Sequence, residues 1–190
     1  VVREIERNLA PRSIYQIDLD LFKRILAQTK QSINKIYSLH EPDVCCISKG
    51  KDHKKYEFGN KASIVKTDTG VIVGALGFRN EYDGHTLEPA LEQVLRLTGQ
   101  LPKKAKVDRG YRGKKQIGQT EIMIPSTPKK SDTYYQRNKI SKAHKKRAAI
   151  EPIIGHIKAD HRLNRNFYKG IVGDNINIML AAAAFNFKRM

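Results

Sequence analysis

The chain has 190 residues, 39% of them hydrophobic, with 36 Lys and Arg against 19 Asp and Glu. The resulting formal charge of +17 opposes compaction by self-repulsion unless a polyanion is near, so nucleic acid is the first partner to consider. No apolar run approaches the roughly 18 residues that span a bilayer, and the N-terminus carries no secretory leader pattern.

The length suits one domain with a helical appendage. The chain begins at Val1 rather than Met, as a segment of something longer or a literally translated non-standard start would. The two cysteines, Cys45 and Cys46, are adjacent and so poorly placed to pair with each other, which points to a reducing, cytoplasmic setting. A zinc site would need two more ligands at suitable spacing; His53 is present, but no second pair is evident.

In chain order, Val2, Ile5 and Leu9 sit at helical spacing and break at Pro11. Phe22, Ile25, Leu26, Ile33 and Ile36 predict an amphipathic helix from Asp18 to about Ser38, able to pair with the first segment as an arm. Val44–Ile47 reads as a short strand and Ser48–Lys55 as a basic loop. The alternation in Tyr56–Lys66 and the apolar run Val71–Phe78 flank Thr67-Asp-Thr-Gly70, a β-hairpin. Thr86–Thr98 is a helix stopped by Gly99. Lys104–Val107 is a strand ending on Asp108, expected to join the hairpin's sheet. Arg109–Gly113 is then a turn, Lys114–Gln119 at most a short helix, and Glu121–Pro125 another strand. Between Pro128 and Arg147 eight Lys or Arg stand against one acid, Asp132, a density normally disordered or pressed onto phosphate. Asp160–Lys169 is basic again, with Phe167 and Tyr168. The last helix, Asp174–Phe187, is expected to be capped by Gly173-Asp174 and to turn Ile176, Met179, Leu180, Ala183, Ala184 and Phe187 to one face. The order of elements predicts an α/β fold with a mixed sheet flanked by helices.

The stretch Arg147–Lys158 separates two faces when wound at about 100° per residue. Arg147, Glu151 and Lys158 fall within roughly 40° of one another, while Ile150, Ile153, Ile154 and Ile157 form a second, core-directed stripe. Such a face is equally that of a surface helix with ordinary ion pairs. What sets it apart is a second acid, Asp108, at a strand end, where α/β sheets place reactive groups.

Lys106-Val-Asp-Arg-Gly-Tyr-Arg-Gly113, followed by Arg147-x3-Glu151-x6-Lys158, resembles bacterial insertion-sequence transposases of the DDE type. Lys55-Tyr-Glu-Phe-Gly59, Ala159–Gly170 and Ile178–Lys188 extend the likeness over nearly the whole chain. The resemblance implies an RNase H-like catalytic core, with residues 41–190 as its C-terminal part and residues 1–40 as a helical arm, the tail of an insertion. It implies Asp108 as the second acid of the triad and Glu151 as the third, both ligating Mg2+ or Mn2+ in a two-metal site of the complete enzyme. Arg147 and Lys158 match the basic partners of the glutamate. Arg109, Lys142, Lys145 and Lys146 are expected to hold DNA phosphate, with transposon ends and target as the DNA, a homodimer as the working state and no membrane. Tyr111 serves packing or substrate contact.

Two departures stand out. His144 occupies the place of a tyrosine common in the family. The first acid should end the first core strand, which is expected to lie before Val1, with Asp43 as the nearest in-chain substitute. Three functions follow: a transposase fragment whose complete form cleaves and joins DNA, an inactive truncated product that binds DNA or partners, and an RNA-associated basic protein. The last explains the charge but gives Asp108 and Glu151 no role. A cytoplasmic, nucleoid-associated location fits the first two.

Overall fold

The computed structural model describes residues 1–9, 14–51 and 54–190. The chain forms two compact units, Val1–Gly59 and Asn60–Met190. In the first unit, α1 (Val2–Asn8) and α2 (Gln16–Leu26) pair and share the Lys23–Glu6 ion pair. The expected break at Pro11 lies outside the described residues. α2 stops at Leu26, well short of Ser38, because polar side chains offer the following backbone other partners. Thr29 donates its N–H to Ser32 Oγ at 2.9 Å, Gln28 Nε2 donates to the Ile36 carbonyl at 3.1 Å, and Asn34 turns left-handed at φ 54°.

The cysteines are strand residues, as expected. β1 (Cys45–Lys51) pairs antiparallel with β2 (Lys54–Gly59), with an irregularity between Ser48 and Lys51. The basic loop read over Ser48–Lys55 is therefore largely strand. His53 lies outside the described residues. The expected long strand Tyr56–Lys66 is divided at Gly59, whose φ of 146° suits only glycine.

The second unit opens with the hairpin of β3 (Lys61–Lys66) and β4 (Ile72–Phe78), in register from Lys61↔Phe78 to Val65↔Gly74. Its turn places Gly70 at φ 89°, and Thr67 N–H donates to the Val71 carbonyl at 2.8 Å. α3 (Asp83–Thr98) follows, ended by Gly99 at φ 72°. β5 (Lys104–Lys106), a 3-10 turn (Arg109–Tyr111), β6 (Gln116–Ile117) and β7 (Thr120–Met123) form a mixed sheet in the order β5-β7-β6, parallel then antiparallel. Lys114–Gln119 is thus no helix. Gly118 at φ 54° makes the tight reversal between β6 and β7. β5 pairs with β7 and not with the hairpin; α3 covers both sheets instead. Its Leu87 and Leu91 pack with Ile122, Ala105 and Val107, while Val94 presses on Gly74.

The remaining chain is α4 (Tyr134–Ala148), α5 (Ile150–Asp160) and α6 (Gly170–Arg189). Ile153 and Ile157 of α5 join Ile178, Ala181, Ala182 and Phe185 of α6 and Ile72 and Ala75 of β4 in one core. The reading of α6 needs correction at both its start and its face. The helix begins at Gly170, and Asp174 is no cap: it is buried, 3.4 Å from Arg79, and accepts from Asn60 Nδ2 at 2.7 Å and Asn166 Nδ2 at 2.8 Å. The face expected to be core is exposed, Leu180 to 58% and Phe187 to 76%. Asparagines fix the rotation. Asn175 Oδ1 accepts from Gly77 N–H at 2.8 Å, and Asn186 meets Ile72 N–H and C=O at 2.9 and 2.8 Å. These two lie on the helix stripe of Ile178, Ala182 and Phe185, so that stripe faces the strand.

Gln93 of α3, itself buried, likewise accepts from Ala75 N–H at 2.7 Å and donates to the Ala75 carbonyl at 3.0 Å. Gln93→Leu would strand both backbone groups in a dry core. It is expected to lower unfolding free energy by about 3 kcal/mol, read by denaturant melts, with Glu92→Leu on the exposed face as a control that changes little.

Candidate active site

The acid at the end of β5 is held by its own backbone. Val107 N–H donates to the Met123 carbonyl at 3.0 Å, carrying the β-ladder one residue past β5. Asp108 then caps the 3-10 turn, its Oδ1 accepting from Gly110 N–H at 2.8 Å. Tyr111, in the same turn, packs against the α3–β7 core and lies 3.2 Å from Thr86 Oγ1. The turn is thereby tied to α3.

Glu151 is reached differently. Arg147–Lys158 was expected to be one helix, but the chain divides at Ala149. Pro152 is the cause. It has no N–H for the Ala148 carbonyl, and its ring crowds that carbonyl, a conflict relieved by placing Pro152 in the first turn of a new helix. Glu151 therefore stands in the first turn of α5 and Lys158 in its last, each at the end the helix dipole favours.

One guanidinium joins the two acids. Arg147, in the last turn of α4, donates to Glu151 Oε1 at 2.8 Å and lies 3.5 Å from Asp108 Oδ2. The side chains are partly open, 44% for Asp108, 33% for Arg147 and 63% for Glu151. Ion pairs this exposed contribute at most about 1 kcal/mol each. The cluster is thus a weak source of stability but a defined arrangement of charge.

The other expected residues are dispersed around it. Lys142, Lys145 and Lys158 are exposed and have no ion pair among the described residues. Lys146 lies 3.8 Å from Asp68, Arg109 donates to Thr127 Oγ1 at 2.6 Å, and His144 Nε2 is 3.0 Å from the Ser126 carbonyl. Asp43 belongs to the first unit. Sequence reasoning passed over Asp68, in the hairpin turn, which also meets Lys106 at 3.1 Å. The hydrogen bond from Lys106, then the charges of Lys106 and Lys146, hold its carboxyl below the usual aspartate range. Lys106 stands two residues before Asp108, the only hint the sequence offered.

Asp108 and Glu151 present hard oxygens of the kind divalent cations take. Arg147 engages one oxygen of each. No group of three or more His, Cys, Asp or Glu converges among the described residues.

Residues 43–187 match the model of the transposase DDE domain, and the chain belongs to that family. The family implies DNA as partner and the general use of divalent metal ions. No curated protein and no solved structure matches the chain.

Asp108 has two separable duties, a cap and a charge. Asp108→Asn keeps an acceptor for Gly110 N–H and is expected to leave thermal stability unchanged. Asp108→Ala is expected to cost about 1 kcal/mol. Equal losses in calorimetry would show that the carboxylate's charge, and not its cap, holds the turn.

Proposed function

We propose that the chain is the catalytic part of a DDE DNA transposase, in which Asp108 and Glu151 are the second and third acids and together hold a divalent cation, Mg2+ or Mn2+. The observation that carries this reading is the convergence of the two acids, 43 residues apart in sequence, on the single guanidinium of Arg147. A bound cation would supply Lewis-acid stabilisation of the phosphodiester oxygens during in-line displacement. The chain's own groups do the rest. Arg147 keeps two like charges from driving each other apart, and the 3-10 turn fixes one Asp108 oxygen. Lys142, Lys145, Lys146, Lys158 and Arg109 take DNA phosphate. Residues 41–190 form this working part and residues 1–40 an arm. The complete enzyme acts as a homodimer on transposon ends and target in the cytoplasm, associated with the nucleoid. No helix among the described residues is long and apolar enough to cross a membrane.

A second reading, a product that binds DNA or partner subunits without cutting, is favoured by the same acid count. Among the described residues β3 and β5 each pair with one strand only, and α3 covers both sheets. These free edges suit an additional strand ending in an acid, which would complete the triad.

Binding is expected to be tolerant of sequence and steeply salt-dependent. The triple change of Lys142, Lys145 and Lys146 to Glu should flatten the slope of log affinity against log salt by about 3, measured by anisotropy on duplex DNA. Lys30→Glu with Lys35→Glu should flatten it less. Equal effects at both places would argue against a dedicated DNA face.

Cleavage separates the two readings. With Mg2+ or Mn2+, the 190-residue chain is expected not to cut duplexes bearing its transposon ends, since a missing acid of the triad raises the barrier by about 4 kcal/mol, near a thousandfold. A form carrying an added strand that ends in Asp should cut. In that form Asp108→Asn or Glu151→Gln should abolish cutting while leaving DNA binding intact. Cutting that survives Glu151→Gln would overturn the assignment. Cutting by the chain itself that is lost in Asp43→Asn would place the first acid in the first unit.

A further inference from the structure

On the side of α5 away from Glu151 lies a cleft of about 560 Å³, within the range of small-ligand sites. It is formed by the β3–β4 turn, α5 and the end of α6, all within the second unit. His156 and Asp160, which line it, stand roughly 140° and 180° around the helix from Glu151, so the cleft does not share the acid cluster's face.

The cleft has two kinds of surface. Pro152, Ile153 and Phe185 supply an apolar floor, and Lys66, Lys188 and Arg189 a basic rim. The rim's three cations are only partly offset by the two acids beside it, Asp68 and Asp160. Asp68 is met from outside the cleft by Lys106 and Lys146. Asp160 is taken by His156 Nδ1 at 3.2 Å and Lys188 at 3.3 Å. Arg189 has no carboxylate partner among the described residues: it donates to the Thr69 carbonyl at 3.2 Å and lies 5.7 Å over the Phe185 ring. One further group calls for a partner. His161, edge-on to Phe185 at 6.1 Å between centroids, has an Nε2 shielded from solvent with no hydrogen-bond partner.

We propose that this cleft is a nucleotide site, taking the face of an unpaired base on its apolar floor and the phosphate on Lys66 and Arg189. Bases stack readily on apolar and guanidinium surfaces in a way that tolerates sequence, and a phosphate adds the charge the rim lacks. A duplex offers no free base face, so it is a poor occupant. The same chemistry comes from a free nucleotide or from an unpaired nucleotide of a DNA strand. The cleft would hold it whether or not Asp108 and Glu151 hold a cation.

The test is to follow the imidazole C–H signals of His156 and His161 by NMR at fixed ionic strength. Titration with 5′-dAMP should shift both signals saturably, with deoxyadenosine and inorganic phosphate each at least about tenfold weaker. Arg189→Ala and, separately, Lys66→Gln should each weaken 5′-dAMP about fivefold without changing the melting temperature, and Glu151→Gln should leave it unaltered. Shifts that inorganic phosphate reproduces at equal concentration, or indifference to both rim variants, would overturn the proposal. A 5′-phosphorylated single strand displacing 5′-dAMP at lower concentration than a duplex of equal length would identify a strand as the source. Displacement by neither would leave the free nucleotide as the ligand.

Discussion

The second unit depends on how the outer edge of β4 is closed. Among the described residues β4 has a strand partner on one side only, yet its other edge lies in the core, where an unmet N–H or C=O costs as much as several good contacts supply. Three side-chain amides close it, Gln93 from α3 and Asn175 and Asn186 from α6. Each amide replaces part of a neighbouring strand, and each also fixes the rotation of its helix. With α6 set this way, Ile178, Ala182 and Phe185 meet Ile153 and Ile157 of α5. A polar constraint on a strand edge thus decides which face of α5 is buried, and hence that Glu151 is turned outward.

The charge distribution is decided on that outward side. A +17 chain gains from any acid placed among its cations, but the acids here are not spread evenly. Asp68 draws Lys106 and Lys146, and Asp108 and Glu151 draw Arg147, so six charged side chains, three acids and three cations, from the hairpin turn, β5 with its end and the α4–α5 junction are ordered next to one another. Exposed pairs add little to stability. Their effect is to hold like-charged carboxylates at a common place while leaving Lys142, Lys145 and Lys158 free for an anion. α4 itself buries no residue, and its capping box at Thr133 and Gln136 supplies the local order that packing does not.

Much of this was legible because it is local. Glycine at Gly99 and Gly70 announced a helix stop and a turn, the apolar run Val71–Phe78 announced a hairpin strand, and Asp108 was placed at a strand end. The misreadings share one cause, the assumption that apolar periodicity alone sets a face or a length. On α6 the apolar stripe Ile176–Phe187 lost to two asparagines with backbone partners. On α2 the pattern through Ile33 and Ile36 lost to Gln28, Thr29 and Ser32, which bond the chain into turns. At Ala149 a pattern continuous in angle was cut by Pro152, whose defect lies in the backbone and leaves no trace in a hydrophobic wheel. Strand pairing was the least legible, since nothing in Lys104–Lys106 says that β7 and not the hairpin will be its neighbour.

The two acids are anchored in different cores, and this sets how their separation is controlled. Asp108 is attached to the cluster of Leu87, Leu91 and Ile122 through Val107 and Tyr111. Glu151 is attached to the cluster of Ile72, Ile178 and Phe185 through Ile153 and Ile157. α3 is the element common to both sides, packing Leu87 and Leu91 on the first and Val94 against Gly74 beside the second. A Cβ at Gly74 would come within 2.9 Å of the Val94 side chain, so glycine there lets helix and strand approach. Packed cores resist continuous deformation, so a shift of α3 would move one acid relative to the other. Arg147 is ion-paired with both acids. It couples the two cores at the surface where α3 couples them inside, so the spacing of the acid pair depends on both couplings.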